Sequence, residues 1–465
     1  MPAQFNILIP ELALILLALF SQFFAVIFTN KNKIIANITI LLSIIIVFLV
    51  LKISGQEAIA FNNSFATNAV TSNYKALVLV FTILTMLIYF DYCTTNKEQL
   101  KNEFFTLLLL STAGIFAAIS ARNFLLLFCA MELSALIAYV LAGFKLKDIS
   151  SSEGALKYFI LGSLVTCLSL FGISFIYGFS GSLEFSDILY QLNNNTVNIG
   201  LIVGVIFFLS SLFFKLASVP LHSWAPDVYE GSPISSVTYF ATASKIGIIA
   251  VLLNVMNLII GDYHSISVNL VKIIAVLSMI FGALGALRQT SLKRLMAYSS
   301  ILNIGYVLVG VALHSNDGDF AAMLYMMIYA VGVLGFFACL LALLGNEADN
   351  ATFESIKGAA ANHKALAAAI SIIMFSMIGI PPLAGFLGKY YLFYQAINQG
   401  EYLLAFIGIF TSVIAAYYYL KIIKTMYFVD NNILTDKKIS VRYGLLLINF
   451  IVIGFLLFAS FFIKF

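Results

Sequence analysis

Apolar stretches of roughly twenty residues recur from one end of this chain to the other, separated by short polar links. As a helix, each stretch is long enough to cross a hydrocarbon core about 30 Å thick. The pattern predicts about fourteen spans, near 6–29, 34–53, 75–92, 103–120, 122–143, 154–178, 198–219, 233–258, 267–288, 295–313, 319–344, 365–397, 402–428 and 442–463. Run length excludes a closed β-barrel, whose strands are about ten residues of alternating polarity. No link is long enough for a soluble domain, so 1–465 reads as one all-α polytopic membrane domain. The first span lacks a basic leader and a small-residue cleavage site, so it reads as an uncleaved anchor.

Two segments interrupt this regularity. The first, from Lys215 to Pro233, contains Pro220, His222, Trp224, Pro226, Asp227, Glu230 and Gly231, and a continuous apolar helix would not tolerate its three prolines. The second, Gly379-Ile-Pro381-Pro382-Leu-Ala-Gly385-Phe-Leu-Gly388-Lys389, lies in a span that would be about 50 Å of unbroken helix. Broken helices survive at membrane depth only when buried in protein or lining a cavity, and they mark ion sites in transporters. The spacing of the breaks predicts two five-helix repeats, 103–258 (spans 4–8) and 267–428 (spans 9–13), each with a broken helix. A repeat with an odd number of spans must be inverted in the membrane.

Composition and charge add an orientation. The chain is 62% hydrophobic and 10% charged, with mean hydropathy +1.02. Alternate links carry Lys31, Lys33, Lys97, Lys101, Lys145, Lys147, Arg288, Lys293, Arg294, Lys357, Lys364, Lys421, Lys424, Lys437, Lys438 and Arg442. The opposite links hold only Lys52, Lys75, Arg122, Lys272 and Lys464. This asymmetry places both termini outside, and it makes the net charge of +4 a topology signal that does not imply nucleic acid.

Four charges sit deep in apolar stretches: Glu132, Lys215, Lys245 and Lys389. A charge at the bilayer centre costs about 2.5–3.5 kcal/mol on insertion scales, so such residues usually face a protein interior or a water-filled path. Glu132 is about 15 Å into span 5 and is too short to snorkel, and Lys245 is about 18 Å past Pro233. Lys389 is deep if span 12 is broken. Lys215 and Lys157 lie nearer span ends, where a snorkelling lysine is an adequate reading. Lys145, Lys147, Lys293 and Arg294 read as topology-setting link charges, so neutralising Lys293 should cost little.

Several cofactor classes are excluded. Cys93, Cys129, Cys167 and Cys339 show no C-x-x-C spacing, which argues against an iron–sulfur or zinc site. His222, His264, His314 and His363 all fall in links or at span ends, not where a transmembrane haem would want them. No P-loop or G-x-G-x-x-G opens a helix, so nucleotide hydrolysis and direct NADH binding are not expected.

These residues carry a family resemblance. Pro220-Leu-His222-Ser-Trp224-Ala-Pro226-Asp227-Val-Tyr-Glu230-Gly231-Ser-Pro233 and Ala-Thr-Ala-Ser-Lys245-Ile-Gly resemble the proton-pumping, antiporter-like membrane subunits of respiratory complex I, the NADH–quinone oxidoreductase. The Trp-Ala-Pro-Asp form is similar to the subunit N family, whereas sister subunits L and M show His-x-Trp-Leu-Pro-x-Ala-His. Met131-Glu132-Leu-Ser, Ala155-Leu-Lys157-Tyr-Phe and the Gly379–Lys389 stretch match the same family, so the motifs extend from span 5 to span 12. The resemblance implies that Glu132 and Lys215 form a coupling pair, that Lys245 is the central proton carrier and that Lys389 is the terminal one. It gives Lys157 a modulating role and sets His222 beside the first break. Asp227 and Glu230 would be loop-capping or subunit-contact residues. The resemblance further implies a bacterial inner membrane, neighbours including antiporter-like subunit M and small subunit K, and NADH, FMN, iron–sulfur clusters and quinone held by partner subunits. A subunit of a multisubunit cation/proton antiporter, with the same fold and lysines, is the alternative.

Overall fold

The computed structural model describes residues 6–54, 57–96, 98–145, 148–194, 199–259, 264–429 and 443–462. Lys97, Lys147, Lys437, Lys438, Arg442 and Lys464 from the charge pattern lie outside the described residues. The first helices are α1 (Ile9–Ile27), α2 (Asn32–Ile53), α3 (Ala69–Asn96), α4 (Asn102–Ser120), α5 (Phe124–Ala142) and α6 (Ile149–Ser180). A short α7 (Phe185–Asn194) precedes α8 (Ile199–Leu216), α9 (Trp224–Gly231), α10 (Ile234–Ala241) and α11 (Ala243–Ile259). The chain continues through α12 (His264–Leu287), α13 (Leu292–Ala312), α14 (Asn316–Leu344), α15 (Lys364–Ile378), α16 (Ala384–Asn398), α17 (Tyr402–Phe428) and α18 (Tyr443–Phe462). A small antiparallel hairpin, Ala58–Ala60 with Phe65–Thr67, joins α2 to α3.

Helix starts follow local chemistry. Asn123, Asp148, Ser291 and Ser315 each cap a helix by accepting a hydrogen bond from an otherwise orphaned backbone N–H. Hydrogen bonds from Ser150, its side chain before its backbone N–H, hold the Asp148 carboxyl below the usual carboxylate range.

Among the described residues, twelve helices are long and apolar enough to cross a membrane, or thirteen if the bent pair Glu354–Asn362 and Lys364–Ile378 counts as one span. The span expected at 365–397 is broken, as its prolines predict: α15 and α16 divide it. The last span contributes only a shorter apolar helix, Gly444–Phe458, by the same measure. Span 8, expected as a single helix, is α10 and α11 meeting at Thr242, whose φ of −121° and ψ of −89° are not helical. The Thr242 hydroxyl bonds back to the Thr238 carbonyl at 2.6 Å, the local competition that bends helices at threonine.

Burial separates core from periphery. Of the most apolar windows, 94% is buried in both Ile234–Leu258 and Leu292–Ala312, against 33% in Ile9–Ile27. Helices α10, α11, α13 and α14 therefore form the centre, while α1, α2, α6 and α17 turn Leu, Ile and Phe side chains outward, as lipid-facing helices do.

Two of the charges counted along the links are instead inside the protein, and a third pairs with a buried carboxylate. Lys293 belongs to the first turn of α13, is 1% exposed and donates to the Ser232 carbonyl at 2.7 Å. Lys75 is also 1% exposed and pairs with Glu11 at 2.5 Å, tying α3 to α1. Lys145 forms an ion pair with the buried Asp349. A charge count along the links cannot register such placements, because burial depends on which helices close over the link.

Candidate functional site

The first break begins where α8 stops. Ala217 adopts φ +58°, and Ala217 and Ser218 donate back to Phe214 and Phe213, the usual closure of a helix C-terminus. Pro220 then prevents continuation. The freed polar groups find partners: Trp224 Nε1 donates to the Phe214 carbonyl at 3.0 Å, and Val219 N–H donates to Ser278 Oγ on α12 at 3.0 Å. Trp224 also stacks on Tyr158 at 4.2 Å, which fixes α9 against α6.

Lys215, in the last turn of α8, approaches α5. Its ammonium lies 3.6 Å from Glu132 Oε1 and donates to the Met131 carbonyl at 3.3 Å. The two side chains are 14% and 21% exposed, so the expected pairing is present, loosely, in a half-buried setting.

Lys245 lies in the first turn of α11, immediately after the Thr242 break, and is 1% exposed. It donates to Ser300 Oγ on α13. Tyr229 and Tyr329 direct buried hydroxyls toward Ser300 without closing a hydrogen bond.

From Ser300 onward, α13 presents a polar face. Ser299 and the Tyr419 hydroxyl are 2.5 Å apart, and Asn303 donates to the Ser299 carbonyl at 2.7 Å. Tyr325 donates to Asn303 Oδ1 at 2.5 Å, and one turn further on Tyr306 meets Thr411 at 3.3 Å. Ser299, Asn303 and Tyr306 are spaced i, i+4, i+7, so one helix face carries them all.

Lys389 ends this run. Gly379, at φ +95°, and Pro381-Pro382 terminate α15, and Lys389 of α16 folds back across the break. Its ammonium donates to the carbonyls of Met377 at 2.9 Å and Ile378 at 3.0 Å, and to Ser412 Oγ at 3.0 Å. It also sits 5.3 Å from the centre of the Tyr306 ring. The break is tight: a Cβ on Gly385 would lie 1.8 Å from the Ser376 carbonyl oxygen.

The remaining candidates form a separate, more exposed group. Lys157 bridges Glu153 at 2.8 Å and Asp227 at 2.9 Å, while Arg294 reaches Asp227 at 2.8 Å and Glu230 at 2.9 Å. Asp227 and Glu230 thus belong to α9 and bind α6 and α13 to it; they are not in a loop. His222 lies beside the first break, half-buried, with its ring 6.5 Å from that of Phe281. Among the described residues, no three His, Cys, Asp or Glu gather as a metal site would require.

Sequence reasoning missed the hydroxyl and amide side chains between Lys245 and Lys389, although the spacing of Ser299, Asn303 and Tyr306 was a usable signal. It also missed Asp349, which has no such signal in its polar link.

A family profile described as NADH:quinone oxidoreductase/Mrp antiporter, TM matches residues 121–415. NADH-quinone oxidoreductase subunit N of Rickettsia bellii is 70% identical over 460 residues, covering 98% of this chain and 100% of the relative. The structure is similar to a chain of respiratory complex I from Thermus thermophilus, with TM-score 0.81 and 26% identity over 97% of both chains. It is also similar in fold to a chain of the Mrp complex from Dietzia, with TM-score 0.80 and 19% identity over 98% of this chain and 95% of that one. The chain belongs to the NADH:quinone oxidoreductase/Mrp antiporter membrane family.

Proposed function

We propose that this chain is a proton-translocating membrane subunit of an NADH–quinone oxidoreductase, driven by electron transfer on other subunits. The observation that carries this reading is the buried run of polar side chains that begins at Lys245 and Ser300 and ends at Lys389. In this reading the chain carries no redox group, and NADH, FMN, iron–sulfur clusters and quinone belong to its partners. Antiporter-like subunit M and small subunit K are its neighbours in a bacterial inner membrane, with both termini outside. Residues 103–258 and 267–428 form the two inverted repeats. A lysine at each break supports the repeat, and the 70% identity to a complex I subunit supports this assembly over a cation/proton antiporter.

The geometry gives each group a task. An amine in a dry site holds its proton when a carboxylate faces it and releases it more readily when the carboxylate withdraws. The 3.6 Å separation of Glu132 and Lys215 leaves room for such movement, so this pair couples the subunit to its neighbour. Lys245 takes up the proton, the α13 hydroxyls and amides carry it, and Lys389 delivers it toward the outside. Lys157 modulates the α9 contacts through Asp227.

Replacing Lys245 by Ala in the complete complex should abolish quinone-linked proton translocation in membrane vesicles at an unchanged subunit level. Normal translocation would overturn the path. For orientation, a cysteine at Asn193 should be labelled from outside and one at Ser291 should not; the opposite result would reverse the topology.

A further inference from the structure

Asp349 has no place in the path described so far, yet it is among the most heavily engaged carboxylates of the molecule. It lies in the turn after α14 and is 4% exposed. Its Oδ2 accepts from the Tyr92 hydroxyl at 2.7 Å and pairs with Lys145, and its Oδ1 accepts from the Ile234 N–H at 2.7 Å. Three other chain segments therefore converge on one carboxylate.

A crevice of about 460 Å³ lies beside it, lined by Tyr92, Gln99, Lys101, Lys145 and Pro233 among others. Tyr92, Lys145 and Pro233 belong both to the crevice wall and to the immediate surroundings of Asp349. Lys293 holds the Ser232 carbonyl while Asp349 holds the Ile234 N–H, so the two side chains grip the same short link between α9 and α10. Lys293 and Ser300 are seven residues apart, on one face of α13 and about 10.5 Å apart along its axis. Ser300 is the residue that receives Lys245. In the α9–α10 link and its two flanking helices, the hydroxyls of Ser232, Ser235, Ser236 and Tyr229 are buried without a hydrogen-bond partner among the described residues. Buried hydroxyls of this kind are the groups that bind bridging water.

We propose that protons reach Lys245 from this crevice by way of Asp349 and Lys293, with the Lys145–Asp349 ion pair as the gate on its floor. The inference rests on the reading of Lys245 as a proton carrier. A hydronium in the crevice gives its proton to the Asp349 carboxylate and leaves as water, which dissolves the ion pair with Lys145. The neutral acid then passes that proton, through water held by the buried hydroxyls of the α9–α10 link, to the unprotonated Lys293 amine. Asp349 returns to a carboxylate, the ion pair re-forms, and Lys293 passes the proton along the hydroxyls toward Ser300 and Lys245. Each cycle moves one proton and leaves Asp349, Lys145 and Lys293 as they began.

The test uses the complete complex in inverted vesicles, whose exposed face is the one bearing Lys101 and Lys145. Asp349→Asn keeps the size of the side chain and one acceptor oxygen for the Ile234 N–H but cannot carry a proton. It should cut proton translocation about tenfold at unchanged subunit level, with Asp349→Glu restoring part of it. Normal translocation in Asp349→Asn, alongside failure in Asp349→Ala, would mean that Asp349 only clamps Ile234, and would overturn the proposal. Should Asp349→Asn not assemble, Gln99→Cys supplies an independent arm. A bulky, membrane-impermeant thiol reagent should then slow pumping in that variant and not in the parent, and no slowing overturns the proposal. Lys245→Ala runs beside both: if it pumps normally, the path itself is wrong, whereas its failure beside a normal Asp349→Asn isolates the fault to the crevice route.

Discussion

The two helix breaks solve the same problem with opposite arrangements. At the first, Lys215 precedes the break and reaches sideways to another helix, meeting Glu132 at 3.6 Å and the Met131 carbonyl. At the second, Lys389 follows the break and reaches backward, holding the last carbonyls of α15 and a serine. One ammonium is held by an ionised partner on a separate helix, the other by backbone dipoles at a helix C-terminus, which favour a cation there. A shift of α5 against α8 changes the first environment and leaves the second untouched. Under the proposed function, the first break responds to a neighbour, and the second holds and passes on a proton.

The comparison can be broken most directly by removing each amine. Lys389→Ala should cost at least about tenfold in proton translocation, because among the described residues Lys389 is the amine that holds the last α15 carbonyls. If Lys389→Ala pumps normally, the second break is not on the path. Glu132→Ala should lower pumping by about three- to tenfold with assembly intact, since Lys215 keeps the Met131 carbonyl but loses its ionised partner. Glu132→Asp should be milder, because only reach is lost. Equal effects of Ala and Asp would show that length, not charge, matters at this site.

Backbone substitutions sharpen the contrast. Gly385→Ala places a Cβ 1.8 Å from the Ser376 oxygen and should destabilise the subunit by about 1–3 kcal/mol, read as lowered thermal stability of the purified complex. Gly379→Ala forces a Cβ into φ +95° beside Lys389 and should cost roughly 1–2 kcal/mol. Ala217→Gly at the first break has the opposite sign, because Ala217 already holds a left-handed φ of +58° that glycine adopts freely. A stability loss in Ala217→Gly would show that the two breaks do not end their helices alike. Lys157→Gln should have the smallest effect. Its side chain is 44% exposed, its ion pairs are screened, and pumping should stay within about twofold of the parent.

Much of the architecture was legible along the chain. Both breaks could be read from proline positions, and Glu132, Lys215, Lys245 and Lys389 from the rarity of charge inside apolar runs. Lys293 was misread because its surroundings are made by other segments: in sequence it stands beside Arg294 in a polar link, and in the fold Ser232 and the α13 core close over it. Asp349 was invisible for the same reason, since Tyr92, Lys145 and Ile234 come from three distant stretches. The Thr242 break lacked the proline that signals the others.

The sequence by itself determined which stretches are long and apolar enough to cross a membrane, where two helices break, and that Glu132, Lys215, Lys245 and Lys389 lie within apolar runs. These are local consequences of transfer free energy and of proline's missing N–H. Only the tertiary structure decided which charge meets which partner: Lys215 with Glu132, Lys245 with Ser300, Lys389 with the end of α15, and Asp349 with Lys145. In a core that excludes water, a charge is held by whatever dipoles the packed helices bring within about 3 Å, and that choice is made across the fold, not along the chain.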